Sequence, residues 1–98
     1  MPDIVITEFM DEAAVDRLRA AHDTHYDPAL VDSPDELAKL GAAARVLVVR
    51  NRTQVRGALL ESAGKLTCVG RLGVGLANID VTTCKARDIE VIPATGAN

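Results

Sequence analysis

Apolar residues are distributed along this chain in five short runs separated by stretches that are apolar on one side only. Residues 3–7 (DIVIT), 45–49 (RVLVV) and 66–70 (LTCVG) have the β-branched bias of strands buried on both faces. A parallel sheet covered by helices gives its strands no solvent face to alternate toward, so such runs stay unbroken. Residues 24–26 and 89–92 read as two further strands, ended by Pro28 and Pro93, which lack the N–H a ladder needs. Residues 11–21 place Ala14, Leu18 and Ala21 at helical spacing, with Asp11 and Glu12 in the first turn where acids complement the helix dipole. Ser33 and Pro34 open a second helix, with Glu36 set for a capping box and Gly41 as the stop. Thr53 is the expected cap of a third helix that carries Val55, Ala58 and Leu59 on one side and ends at Gly64. A fourth is expected over about 79–87.

Strand and helix therefore alternate with short connections. Right-handed crossovers make this an α/β domain: a flavodoxin-like, doubly wound parallel sheet of about five strands with helices on both faces. The chain stops just past its fifth strand, so the expectation is an incomplete domain that leaves apolar surface open.

Composition narrows the classes. Ninety-eight residues make one domain, with 48% apolar and 26% charged residues as in ordinary globular proteins. A net charge of -3 argues against nucleic acid or an anionic membrane as the partner. No apolar run approaches the roughly 20 residues of a membrane span, and the start lacks the basic residues of a signal peptide. The expected location is the cytoplasm, where Cys68 and Cys84 would be free, inert thiols without metal-ligand spacing. His22 and His25 lack a third ligand nearby in sequence and read as solvated or helix-capping, so no metal is expected.

The candidate chemistry gathers at one rim. In a parallel sheet every strand's carboxyl end points the same way. Three segments arrive there: RNRT at 50–53, RLGVGLAN at 71–78 and TGAN at 95–98. They offer arginines, amide side chains and free backbone N–H groups, and no nucleophile, which suits a small carboxylate or phosphate. Gly73 and Gly75 permit close approach or positive φ. A dinucleotide fingerprint is disfavoured, because Asn78 stands where its third glycine would be and the turn follows the fourth strand. The end of the first strand, Thr7-Glu8-Phe9, lacks the acid cluster of a receiver domain, and two aromatics are too few to sandwich a flavin.

The segments RNRT at 50–53, LTCVGRLGVGLANID at 66–80 and VIPATGAN at 91–98 resemble the amino-terminal part of the D-isomer-specific 2-hydroxyacid dehydrogenases, which include D-3-phosphoglycerate dehydrogenase. The RxGxGxxNID portion is the specific element. The resemblance implies that residues 1–98 are the amino-terminal portion of a substrate-binding (catalytic) domain, with the NAD-binding domain and the catalytic residues outside this chain. It implies a homodimeric parent enzyme passing hydride between a small D-2-hydroxy or 2-oxo acid and NAD. Val74 and Gly75 would present backbone N–H groups to the substrate carboxylate. Arg50, with Asn51 beside it, would meet a distal anion, although a salt bridge is an equal reading. Asn98 would face the substrate from the domain hinge. Arg71, Gly73, Asn78 and Asp80 would hold the turn together. PATGAN at 93–98 departs from the family's frequent NAPGGN. The alternative is a stand-alone flavodoxin-like module that binds or senses a small anion without any nicotinamide response.

Overall fold

The computed structural model describes residues 2–73 and 77–94. Five strands, β1 (Ile4–Ile6), β2 (Thr24–Tyr26), β3 (Val46–Val49), β4 (Cys68–Leu72) and β5 (Glu90–Ala94), form one parallel sheet. Their order is β2-β1-β3-β4-β5, the flavodoxin-like order that the alternating pattern predicts. The crossovers carry helices α1 (Glu12–Ala21), α2 (Pro34–Gly41), α3 (Ala58–Ser62) and α4 (Val81–Ala86), with a 3-10 turn at Leu30–Asp32 before α2.

Register aligns Val5, Leu47, Val69 and Val91 across four strands. The first three are fully buried and join Leu60, Ala63, Cys84 and Ile89 in the larger of two apolar clusters. The opposite face holds Ile4, Ile6 and Val48 against Val15 of α1. Complete burial of a Val or Leu side chain contributes about 1.5–3 kcal/mol, so these two layers hold the rim in place.

The sequence-based expectations need correction at several element ends. In α1 the buried residue is Val15, not Ala14 or Ala21, and Ala21 is exposed. Ser33 stands at the N-cap of α2, yet its side chain makes no capping hydrogen bond, so Pro34 alone marks that start. Thr53 caps no helix. Val55 is drawn into a parallel bridge with Ile79, through Val55 N–H to the Asn78 carbonyl at 2.8 Å and Asp80 N–H to the Val55 carbonyl at 2.9 Å. That tertiary pairing takes the backbone groups a helical turn would need, and α3 starts only after Gly57. The same bridge delays α4 to Val81, with Asp80 as its N-cap. Strand β5 continues through Pro93 to Ala94, which an edge position allows because no further strand among the described residues needs the missing N–H.

Candidate functional site

The carboxyl ends of β1, β3 and β4 deliver Glu8, the 50–53 loop and Arg71 to one rim. Glu8 is 4% exposed, and its carboxylate faces the backbone of that loop. Oε2 accepts the N–H groups of Arg50 at 2.8 Å and Thr53 at 2.9 Å, and Oε1 accepts that of Arg52 at 3.1 Å. Burial pushes this carboxyl's pKa up, but hydrogen bonds from Thr53, Arg50 and Arg52 outweigh burial and hold it below the ordinary glutamate value. From the other side, Asn78 Nδ2 donates to the carbonyls of Arg50 and Thr53, both at 2.8 Å. The hydroxyls of Thr7 and Thr53 share a further hydrogen bond at 2.7 Å. The loop is thus clamped through its donors by Glu8 and through its acceptors by Asn78.

Of the three rim segments expected together to offer free backbone N–H groups, 50–53 has those of Arg50, Arg52 and Thr53 taken by a carboxylate of the same chain, which leaves its side chains to meet a ligand there. Glu8 was legible as an acid at the end of an apolar strand. That position is the one signal in the sequence that could have pointed to it.

Arg50, Asn51, Arg71, Leu72 and Gly73 line an open pocket of about 240 Å³. Arg71 is 6% exposed and donates a guanidinium N–H to the Leu72 carbonyl. Gly73 has φ 92°, a conformation that favours glycine, and a Cβ there would lie 3.0 Å from Arg71 Nη1. Two guanidinium groups beside one small pocket suit an anion with more than one oxygen.

Asp80 accepts the backbone N–H of Thr83 at 3.1 Å and its hydroxyl at 2.7 Å, and these bonds hold its carboxyl below the usual range. It anchors α4 and does not face the pocket residues through any of these bonds. Val74, Gly75 and Asn98 lie outside the described residues. Arg52 pairs with Asp32 at 2.7 Å, both well exposed, an ion pair of little energetic consequence.

His22 ends α1 with its backbone N–H on the Leu18 carbonyl, and His25 lies in β2 opposite Val5. Among the described residues no three His, Cys, Asp or Glu side chains are grouped to hold a metal ion. Cys68 and Cys84 are free, and burial raises both thiols, helped by Glu90 and Asp80 respectively, which disfavours the reactive thiolate. No helix among the described residues is long and apolar enough to cross a membrane.

An open parallel sheet with a clamped, arginine-bearing loop at its carboxyl rim defines an α/β domain with a basic pocket at one edge. Comparison with known proteins makes this specific. The family model for the D-isomer specific 2-hydroxyacid dehydrogenase, catalytic domain, matches residues 4–98, and the chain belongs to that family. It is 52% identical over 98 residues to (S)-sulfolactate dehydrogenase of Chromohalobacter salexigens, covering 100% of this chain and 32% of that protein. It is 35% identical over 100 residues to D-3-phosphoglycerate dehydrogenase of Mycobacterium leprae, covering 100% of this chain and 18% of that one. A solved protein from Pyrococcus horikoshii superposes with a TM-score of 0.86 at 24% identity, covering 99% of this chain and 28% of that chain. The NAD+-bound 3-phosphoglycerate dehydrogenase of Entamoeba histolytica gives 0.76 at 22% identity, covering 92% and 32%. The last two show the fold alone. The chain spans about a third or less of the length of the curated relatives it matches.

Proposed function

We propose that residues 1–98 are the amino-terminal portion of the substrate-binding domain of an NAD-dependent dehydrogenase that interconverts a small D-2-hydroxy acid and its 2-oxo acid. The observation that carries this reading is the 240 Å³ rim pocket with Arg50, Asn51 and Arg71 on its walls, on a loop held from both sides. In this reading Arg50 and Asn51 bind the end of the acid remote from C2. The motif adds the backbone N–H groups of Val74 and Gly75 for the C1 carboxylate and the side chain of Asn98 at the hinge. Fixed donors orient the acid without reorganising, which is the form that binding and positioning take in catalysis. NAD, the acid–base residues and a homodimer partner belong to parts of the protein outside these residues, and the working compartment is the cytoplasm.

Two arginines at the pocket favour an acid with a second anionic group. The identity to a sulfolactate dehydrogenase supports a sulfonate in that place, and the phosphoglycerate dehydrogenases support a phosphate. The test is NADH oxidation by the protein expressed from its native gene, with sulfopyruvate, phosphohydroxypyruvate, oxaloacetate and pyruvate. Turnover is expected to favour one of the three acids with a distal anion. Arg50→Gln should raise KM for that acid by about 10- to 100-fold, the loss of a charged hydrogen bond of about 1.5–3 kcal/mol, and raise that for pyruvate far less. No turnover of any 2-oxo acid, together with binding of these acids, would favour the stand-alone anion-binding module instead.

A further inference from the structure

The 50–53 loop has the form of an anion nest, three backbone N–H groups converging on one point, but the anion it holds is the carboxylate of Glu8. Loops of this form commonly receive a ligand's phosphate or carboxylate at their N–H groups. Here the nest is plugged from within the fold, so a ligand anion beside this loop must be met by the loop's side chains. The plug also bears directly on Arg50. The N–H of Arg50 is held by Glu8 Oε2 at 2.8 Å, and its carbonyl is held by Asn78 Nδ2 at 2.8 Å. Both peptide groups flanking its Cα are therefore pinned, and only the side-chain torsions remain to be ordered when an anion binds. Asn51 follows within the same clamp, since the next residue's N–H is held as well.

Keeping a carboxylate at 4% exposure is costly, and a neutral polar side chain could satisfy only part of the loop. A charged acceptor with two oxygens satisfies all three donors. The depressed pKa of Glu8 agrees with an anion held ionised through the neutral range. Its negative charge lies near the pocket and by itself would weaken binding of an anionic ligand. Two effects of opposite sign thus attach to one side chain: direct repulsion of the ligand, and placement of the arginine that attracts it.

We propose that Glu8 is a positioning residue for the distal-anion site: by filling the N–H nest at 50–53 it fixes Arg50 and Asn51 in their binding geometry, and this placement outweighs its direct repulsion of the ligand. The inference rests on the dehydrogenase reading for its substrate, but its geometry does not. Removal of the charge should therefore weaken anion binding, the reverse of what electrostatics alone would give.

The test uses the protein expressed from its native gene, with Glu8→Gln, Glu8→Asp, Arg50→Gln and the Glu8→Gln/Arg50→Gln pair. Circular dichroism checks that each is folded, and Glu8→Asp, which keeps the charge one methylene short of the loop, carries the test if Glu8→Gln does not fold. Binding of sulfoacetate is read by titration calorimetry, and sulfopyruvate and pyruvate by steady-state kinetics. Glu8→Gln should weaken sulfoacetate about tenfold and raise KM for sulfopyruvate by a similar factor, with kcat reduced less than threefold and KM for pyruvate raised less than threefold. Glu8→Asp should lie between it and the unaltered protein. In the Arg50→Gln background, Glu8→Gln should add less than twofold, because the arginine it places is gone.

Equal or tighter sulfoacetate binding in Glu8→Gln overturns the proposal, as does an effect fully additive with Arg50→Gln. If the unaltered protein turns over none of sulfopyruvate, phosphohydroxypyruvate, oxaloacetate and pyruvate, the dehydrogenase reading fails, and the sulfoacetate titrations alone decide the role of Glu8. If the unaltered protein does not bind sulfoacetate at all, the proposal is overturned.

Discussion

Glu8 carries a charge into a place that water barely reaches, and the backbone donors of Arg50, Arg52 and Thr53 make that tolerable. The consequence is a definite pH dependence. Its folded-state pKa lies below the unfolded value, so its contribution to stability is present above the unfolded glutamate pKa of about 4.3 and is lost as pH falls through the depressed folded value. The expected result from scanning calorimetry is that Glu8→Gln has a lower Tm than the unaltered protein at neutral pH, and that the difference shrinks below about pH 4. A constant difference across the acid range would mean that Glu8 is not ionised in the folded protein. Asp80 is depressed in the same direction by the hydroxyl and N–H of Thr83, so part of the acid loss remains in the Glu8 variant.

Helix α4 shows how an element end is decided by a few bonds. The N–H of Ile89 reaches the Cys84 carbonyl at 2.8 Å and that of Asp88 reaches the Lys85 carbonyl at 3.2 Å, the paired pattern of a Schellman end. Asp88 occupies the left-handed position with φ 57°, where glycine would be without strain. Asp88→Gly should stabilise the protein by about 0.5–1 kcal/mol, measured as an upward shift of the urea midpoint with an unchanged m-value. Helix α3 relies on a neighbouring element: Arg87 donates to the carbonyls of Leu60 at 2.6 Å and Ala63 at 2.8 Å, closing the end of a five-residue helix. So short a helix has little stability of its own.

The two faces of the sheet are unequally covered. One carries the larger apolar cluster that α3 and α4 complete, and the other is packed by α1 over β1 and β3. On that second side Ile92 of β5 is 45% exposed, and Phe9 at the rim is 62% exposed. As an isolated polypeptide, the 98 residues should self-associate through this open apolar surface, and Ile92→Ser should reduce the effect in sedimentation velocity. Ile92 variants that sediment like the unaltered chain would place the contact elsewhere. On the dehydrogenase reading proposed above, the same polypeptide should oxidise no NADH with any 2-oxo acid, because that reading places the cofactor site and the acid–base residues outside residues 1–98. In the core, Leu47 of the central β3 is fully buried, and Leu47→Ala should cost about 2–5 kcal/mol in urea unfolding.

Strand and helix order, the parallel sheet and the family were legible in the sequence, because apolar runs, proline and glycine positions and the RxGxGxxNID string act locally and need no partner to be read. The basic residues of the rim were legible as well, since parallel strands all end on one side. The partners were not. Thr53 has the chemistry of a helix cap, and only the folded chain brings Thr7 to its hydroxyl and Glu8 to its N–H. Glu8, 42 residues from Arg50, reads in isolation as a surface acid. Asn78 stands 28 residues from the Arg50 carbonyl that it clamps. Short-range pattern determined which elements form. The sheet order, by setting three strand ends side by side, decided which polar groups meet, and so turned a string of free donors into a loop already filled by the protein's own carboxylate.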